Sequence, residues 1–235
     1  MTVSTGPTAD ATLRCMRIGI LSDTHLIGRA TLDDLSPEAA VLLSTVDLIL
    51  HAGDVVLPSH LAWCEQFAPL LCARGNNDHF DDPRMAPVLS IEREGWRIGV
   101  VHDIGPIPPS AEPVSELKRR VFGDVALDIL VAGDSHFERL EHVEGTLFVD
   151  SASPTLPHHK STRLGSMALL DVTRDHVRAE IIPLGETPGL PNPVTAARIE
   201  FDRGGVLSAS IGGAPAALLD GHFRWRGSRA GRRAG

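Results

Sequence analysis

Short apolar runs that end in polar residues recur along the first third of the chain. The runs at 16–23, 46–54 and 70–78 begin with aliphatic residues and finish in Asp, Gly or Asn. The segments between them, 32–44 and 60–67, space apolar residues at helical intervals. Strands and helices that alternate in this way are typical of a mostly parallel sheet with helices packed on it. This pattern therefore predicts an α/β fold.

The following part of the chain alternates like β-hairpins. Strand pairs with Gly- or Asp-containing turns are predicted at 88–103, 137–153 and 166–184. A helix at 115–124 and a strand at 127–136 lie between the first two pairs. Together with the first third, these pieces predict a four-layer αββα sandwich of two mixed sheets flanked by helices.

The organisation predicted from composition is one domain with flanking segments. A chain of 235 residues that is 43% apolar and 22% charged is ordinary for one domain. We expect a flexible leader at 1–15, a folded domain at 16–184 and a C-terminal extension at 185–235. The extension allows one hairpin at 199–211. Its Gly/Arg-rich end from residue 222 is expected to be a disordered tail, because it offers little apolar surface to offset its ordering entropy. A nucleic-acid-contacting arm is the alternative.

Charge and hydropathy restrict where the protein acts and what it binds. The net charge of −8 argues against non-specific binding of nucleic acid. No apolar run approaches the roughly 20 residues that span a bilayer, and the N-terminal segment lacks a signal-peptide core. We therefore expect a cytoplasmic protein without a membrane partner. Edge strands of such a sandwich often pair, which makes a homodimer one of the expectations.

Five predicted strand ends carry residue types that bind metal ions. One Asp or His at a strand end is usually a turn or hydrogen-bonding residue. The carboxyl ends of strands in an α/β sheet meet in one crevice, however, so five such ends are expected to converge. Mixed carboxylate, imidazole and amide donors suit Mn²⁺, Fe or Zn²⁺, and they indicate a dinuclear centre. The five ends are Asp23-x-His25, Gly53-Asp54, Gly75-Asn76, His102 and Gly133-Asp134-x-His136.

This order of motifs resembles the calcineurin-like metallophosphoesterases. The chain resembles the short form of this family. With its G-N-N-D variant of the third motif, it is most similar to the small bacterial and archaeal phosphodiesterases of the YfcE type. The resemblance covers residues 16–184 and includes DSASPTLP at 150–157, which is similar to the family loop N-P-G-S-x-x-x-P.

The resemblance implies two divalent metal ions. Mn²⁺ is the expected metal, and Fe, Mg²⁺, Zn²⁺ and Ni²⁺ are the alternatives. It implies hydrolysis of a small phosphodiester by in-line attack of a metal-bridging hydroxide, with phosphomonoesters as the enzymatic alternative. It also implies a ligand set divided between the ions. Asp23, His25 and His136 bind the first ion, Asp54 bridges, and Asn76, His102 and Asp134 complete the second site.

Three positions depart from the family pattern. Asp134 stands where the family has His, which implies harder ligation and favours Mn²⁺ or Mg²⁺ over Zn²⁺. Asp103 replaces the Gly after the strand-end His, where it either joins the metal shell or restricts access. Asn77 occupies the position of a His or Cys. Without that His, general-acid help is missing and esters with good leaving groups are favoured.

Several further polar residues are candidates for roles in the chemistry. Asn77 is expected to hydrogen-bond a phosphoryl oxygen, and Asp78 to orient a ligand or water. Arg74 pairs with either phosphate or a carboxylate. Four histidines are substitute-acid candidates, but each is better explained as a structural or solvated residue, and none is assigned a catalytic role. They are His51, His79, His158 and His159.

Two other hypotheses remain beside a fully loaded diesterase. One is a binding or scaffold protein that keeps the fold with impaired catalysis, motivated by Asn77, Asp103 and Asp134. The other is an enzyme whose first site binds metal tightly and whose second site fills only with substrate present.

Overall fold

The computed structural model describes residues 15–26, 36–105, 113–159, 164–185 and 191–227. Within them the strands are β1 (Met16–Leu21), β2 (Leu48–His51), β3 (Leu70–Ala73), β4 (Met85–Ala86), β5 (Val88–Arg93), β6 (Trp96–Val101), β7 (Ile129–Ala132), β8 (Glu138–Val143), β9 (Thr146–Ser151), β10 (Ser166–Val172), β11 (His176–Pro183), β12 (Ala197–Asp202), β13 (Gly205–Ile211), β14 (Ala214–Pro215) and β15 (Phe223–Arg226). The helices are α1 (Pro37–Leu43), α2 (Pro58–Cys64) and α3 (Val114–Phe122).

These strands form two mixed sheets. The order in the first sheet, over the described residues, is β14-β13-β12-β11-β10-β1-β2-β3-β4, and in the second it is β15-β8-β9-β7-β6-β5. Strands β1, β2 and β3 run parallel, as do β6, β7 and β9. The carboxyl ends of these parallel strands carry the residues predicted to bind metal.

Three apolar layers hold the sandwich together. The inner faces of the two sheets meet in a core that includes Leu50 and Ile98. Helices α1 and α2 cover the outer face of the first sheet, where Leu43 and Leu61 are buried. Helix α3 covers the second sheet through Leu117 and its neighbours. The four-layer αββα architecture predicted from the sequence is therefore confirmed.

Local signals account for most of the elements. Helices α1 and α2 each begin at a proline, whose fixed φ suits the first helical turn. The β5–β6 hairpin turns at Glu94 and Gly95, with φ of 49° and 81°, as a two-residue turn requires. Of the helix predicted at 32–44, Pro37–Leu43 is helical, and residues 27–35 lie outside the described ranges. No helix among the described residues is long and apolar enough to cross a membrane.

The C-terminal strand β15 corrects the prediction of a disordered tail from residue 222. It pairs antiparallel with β8, and Phe223 and Trp225 are 1% and 9% exposed. The segment Phe-Arg-Trp-Arg alternates apolar and charged residues, so one face enters the core while Arg226 reaches Glu141 at 2.7 Å. Its Gly and Arg content obscured this period-two pattern. Residues 228–235 of the predicted tail lie outside the described part of the chain.

Candidate metal centre

The predicted ligands follow five strand ends and converge between the two sheets. Five of these residues have positive φ, a backbone conformation that residues other than glycine rarely adopt. Such strained backbone clusters at functional sites, where the surrounding structure holds it in place. The five are Asp23 (52°), His25 (41°), Asp54 (58°), Asp134 (67°) and His136 (55°).

Two glycines allow the loops to approach each other closely. A Cβ on Gly75 would overlap the carboxylate of Asp54. On Gly53 it would lie 2.8 Å from Nδ1 of His102. These positions therefore require glycine because backbone and ligand side chains share the same space.

One cluster forms around the buried carboxylate of Asp23. Its Oδ1 lies 3.5 Å from Nε2 of His136 and 3.9 Å from Nε2 of His25. Its Oδ2 accepts hydrogen bonds from Ser22 Oγ at 2.6 Å and from the backbone N–H of Asp134 at 3.1 Å. One oxygen is thus held in place while the other faces the two imidazoles.

A second cluster surrounds Nε2 of His102. This nitrogen lies 2.9 Å from Asn76 Oδ1, 3.4 Å from Asp54 Oδ1 and 3.5 Å from Asp134 Oδ1. The Asp134 side chain is 47% exposed, so it closes the cluster from the solvent side.

Asp54 lies between the two clusters. Its Oδ1 faces His102, and its Oδ2 lies 3.3 Å from Nε2 of His25. All seven residues predicted as ligands are therefore brought together.

Three features of the donors fit bound cations. Ligand atoms about 2.1 Å from one metal ion are separated by about 3.0 to 3.4 Å, close to the spacings found here. Asp23 Oδ1 and His25 Nε2 are buried without a hydrogen-bond partner among the described residues. The Nδ1–H groups of His102 and His136 donate to the carbonyls of Ala52 and Leu156, both at 2.7 Å. These bonds leave Nε2 free to bind a metal ion.

The electrostatics of the centre also favour positive charge. Burial disfavours a charged His102, but its hydrogen bond with Asp54 and the charge of Asp23 raise the pKa of His102 to about 9. Burial works against ionisation of Asp54, yet hydrogen bonds from His102 and Asn77 hold its pKa well below the usual range. Burial raises the pKa of Asp23. The carboxylates thus stabilise a cation here, whether a proton on His102 or a metal ion.

Asn77 contacts the carboxylate of Asp54 twice. Its backbone N–H donates to Oδ1 at 2.8 Å and its side-chain Nδ2 donates to Oδ2 at 2.6 Å. The exposed side chain thus lies at the mouth of the centre.

Asp78 lies behind the centre, where its carboxylate accepts four backbone N–H groups. Its Oδ2 accepts the N–H groups of Asp54 at 3.0 Å and Gly75 at 2.8 Å. Its Oδ1 accepts those of Val55 and Val56, both at 2.8 Å. The carboxylate therefore fixes the loop that carries Asp54.

We expect Asp78→Asn to lower the free energy of unfolding by about 2 kcal/mol, because the amide NH₂ faces N–H donors where a carboxylate oxygen accepted them. Urea denaturation of both proteins measures the difference. The matched control is Asp171→Asn, whose partially exposed carboxylate pairs with Arg17 on the surface, and it should change stability by less than about 1 kcal/mol. An equal effect of the two substitutions would contradict a structural role for Asp78.

Two other candidate residues, His51 and Arg74, are engaged in contacts outside the two donor clusters. His51 is fully buried, accepts the Gly53 N–H at 3.1 Å and has a pKa well below the ordinary value because of burial. Arg74 donates to the carbonyls of Asp78 and Phe80 and pairs with Asp81. The alternative in which Arg74 pairs with a carboxylate therefore agrees with its contacts.

Four further candidates lie outside the two donor clusters. Asp103 is exposed and accepts the N–H of Gly105 at 2.5 Å, so its side chain is used in a turn. His79 and His158 are exposed, and His158 packs on Phe137 with ring centroids 3.5 Å apart. His159 is partly buried.

One supporting loop, which comprises residues 150–157, holds segments of the centre through contacts that its residue types did not predict. Ser153 Oγ donates to the carbonyl of Asp23 at 2.6 Å, and Thr155 Oγ1 donates to the carbonyl of Thr24. The carbonyl of Leu156 orients His136. The likeness of this loop to N-P-G-S-x-x-x-P was the available signal, but contacts with backbone atoms leave no pattern in residue types.

Comparison with known proteins identifies relatives by sequence. Residues 16–175 match the family model described as the calcineurin-like phosphoesterase superfamily domain. A probable metallophosphoesterase of Methanothermobacter thermautotrophicus is 31% identical over 171 residues, 72% of this chain and 94% of that protein. A probable metallophosphoesterase of Methanocaldococcus jannaschii is 32% identical over 172 residues, 73% of this chain and 83% of that protein.

Solved structures show the same fold at lower identity. Vps29 from Cryptosporidium parvum superposes with a TM-score of 0.62 at 19% identity, covering 80% of this chain and 98% of that one. Vps29 from Entamoeba histolytica, solved in complex with Zn²⁺, gives a TM-score of 0.59 at 16% identity over 80% of this chain and 100% of that one. At these identities the likeness concerns the fold alone.

Proposed function

The chain belongs to the calcineurin-like phosphoesterase superfamily, and we propose that it hydrolyses a small phosphodiester using two divalent metal ions. The proposal assigns Asp54 as the bridging ligand. The first ion is assigned to Asp23, His25 and His136, and the second to Asn76, His102 and Asp134.

The observation that carries the proposal is the position of Asp54 between two donor clusters. One of its oxygens lies 3.3 Å from His25 Nε2 and the other 3.4 Å from His102 Nε2. Two cations a few Å apart repel each other, and an anionic carboxylate shared between them reduces that repulsion. A single metal site would not need two imidazoles on opposite oxygens of one carboxylate.

When bound, the ions supply Lewis-acid charge and activate water for attack on phosphorus. The chain's own residues hold and orient the reacting groups. Asn77 lies at the mouth and donates a hydrogen bond to a phosphoryl oxygen, in exchange for its present bond to Asp54 Oδ2. Carboxylate and imidazole donors of mixed hardness make Mn²⁺ the proposed metal.

The charge of the centre favours a diester over a monoester. The clustered side chains are carboxylates, imidazoles and an amide, and Arg74 is engaged by loop carbonyls. The metal ions must therefore neutralise the phosphoryl group, and a diester carries one negative charge where a monoester carries up to two. With Asn77 in place of a general acid, the leaving group should be a good one.

A binding or scaffold protein that retains the fold is the second candidate. The observation that favours it is the 47% exposure of Asp134, which makes the second cluster less enclosed than the first. Against it, buried Asp23 Oδ1 and His25 Nε2 have no hydrogen-bond partner in the described part of the chain. Burying unpaired polar atoms costs free energy unless a ligand such as a metal ion compensates for it.

The test is metal-dependent hydrolysis of bis(4-nitrophenyl) phosphate. Chelator-treated protein should be inactive, and titration with Mn²⁺ should restore turnover. 4-Nitrophenyl phosphate in parallel assays distinguishes a diesterase from a monoesterase. Metal content by mass spectrometry of the same samples gives the stoichiometry, expected to be two ions per chain. Metal uptake without hydrolysis of either ester would contradict the enzymatic proposal and support the scaffold.

A further inference from the structure

The supporting loop begins at a buried carboxyl that the proposed chemistry does not use. Asp150 is 2% exposed and lies at the end of strand β9. Its Oδ1 accepts the N–H of Ala152 at 2.9 Å, and its Oδ2 lies 2.7 Å from Oγ of Ser135. Asp150 therefore connects the loop to the segment that carries two proposed ligands.

Ser135 is the residue between Asp134 and His136. Its Oγ also accepts the N–H of Phe137 at 3.1 Å, and this hydrogen bond closes a tight turn from Ser135 to Phe137. The two flanking ligands both have left-handed backbone, with φ of 67° and 55°. A turn strained on both sides of Ser135 keeps this conformation only when contacts from outside hold it.

We propose that Asp150 is a positioning residue that holds the turn of Asp134 and His136 in its metal-binding geometry through Ser135. The inference rests on the proposed function for the identity of the ligands. It goes further because it makes the affinity of the centre for metal ions depend on a buried residue that is distant from the metal ligands in sequence.

The surroundings of Asp150 favour a hydrogen-bonding role over an ion pair. The neighbouring cation, Arg139, is engaged with Glu141 at 2.7 Å and 2.8 Å and stacks on Phe148. Burial raises the pKa of Asp150 to about 8, although the bond with Ser135 opposes this shift. Ser135 Oγ donates to one oxygen of Asp150, and the other oxygen accepts the N–H of Ala152. Asparagine has the same shape, and it can keep both partners by accepting from Ala152 through Oδ1 and donating from Nδ2 to Ser135 Oγ.

The test compares Mn²⁺ affinity of full-length variants by isothermal titration calorimetry. Asp150→Ala should weaken Mn²⁺ binding by about 10-fold or more, the usual effect of losing a group that orients a metal ligand. Asp150→Asn should stay within about 3-fold of the native chain. Ser135→Ala should weaken binding like Asp150→Ala, and the double variant should lose little more, because both act through one contact.

The matched control is Asp202→Ala. That carboxylate also accepts backbone N–H groups, from Gly204 and Gly205, but it lies in the β12–β13 turn. It should leave Mn²⁺ affinity unchanged. Circular dichroism and thermal unfolding establish that each variant is folded, and if Asp150→Ala does not fold, Ser135→Ala carries the comparison.

A folded Asp150→Ala with native Mn²⁺ affinity would overturn the proposal, as would equal losses in Asp150→Asn and Asp150→Ala. Imidazole NMR of His136 in metal-free protein adds a readout independent of activity, and its resonances should shift in Asp150→Ala but not in Asp150→Asn. Failure of the proposed function is separate, because it would appear as absent ester hydrolysis in a native chain that still binds Mn²⁺.

Discussion

Replacing Asp54 by Asn is expected to lower Mn²⁺-dependent diester hydrolysis by about 10³-fold or more. The substitution removes the anion shared by the two donor clusters while nearly preserving its shape. Lewis-acid stabilisation by metal ions contributes several kcal/mol to such reactions, and each 1.4 kcal/mol corresponds to a factor of 10 in rate. Turnover of bis(4-nitrophenyl) phosphate at saturating Mn²⁺ measures the effect.

The fold of this variant should survive, which makes the comparison informative. An amide oxygen at position 54 can still accept the N–H of Asn77, which donates to Oδ1 at 2.8 Å in the native chain. The matched control is again Asp171→Asn, which removes from strand β10 a carboxylate paired with Arg17 of strand β1. It should retain native turnover. Turnover of Asp54→Asn within about 10-fold of the native value would show that a shared carboxylate is not required.

Replacing Phe223 by Ala is expected to lower the free energy of unfolding by about 3 to 5 kcal/mol. The Phe223 side chain is 1% exposed and belongs to the core between the two sheets. Its loss leaves a cavity beside β8 that the rigid sheets cannot fill. Chemical denaturation of the native and variant chains measures the change.

The neighbouring Arg224→Ala is the control within the same strand. Arg224 is exposed, so its removal should change stability by no more than about 0.5 kcal/mol. A large effect at Phe223 with a small one at Arg224 is the signature of an ordered strand with one buried face. Small effects at both positions would instead agree with a disordered C-terminal tail.

Much of the fold could be predicted because it is encoded locally. Apolar runs such as Ile18–Leu21 alternate with helical spacing, and turns such as Glu94-Gly95 carry residues that tolerate positive φ. These signals depend only on near neighbours in the chain. Strand β15 shows the limit of such signals, since four residues become a strand only when β8 offers an unpaired edge.

The candidate metal centre could likewise be predicted only in part. Ligand residue types at strand ends could be recognised one by one, and the rule that parallel strands end together predicted that they converge. The exposure of Asp134 and the double contact of Asn77 with Asp54 could not be predicted, because they depend on distances between separate loops.

By itself the sequence determined the two-sheet architecture, the family and the residue types at the candidate centre, since all three lie in periodicity and in short motifs. Only the tertiary structure decided which atoms face each other. Asp78 binds backbone N–H groups, Leu156 orients His136 with a carbonyl, and Asp150 reaches Ser135. The physical reason is that these are contacts between segments distant in the chain, often to backbone atoms that every residue carries.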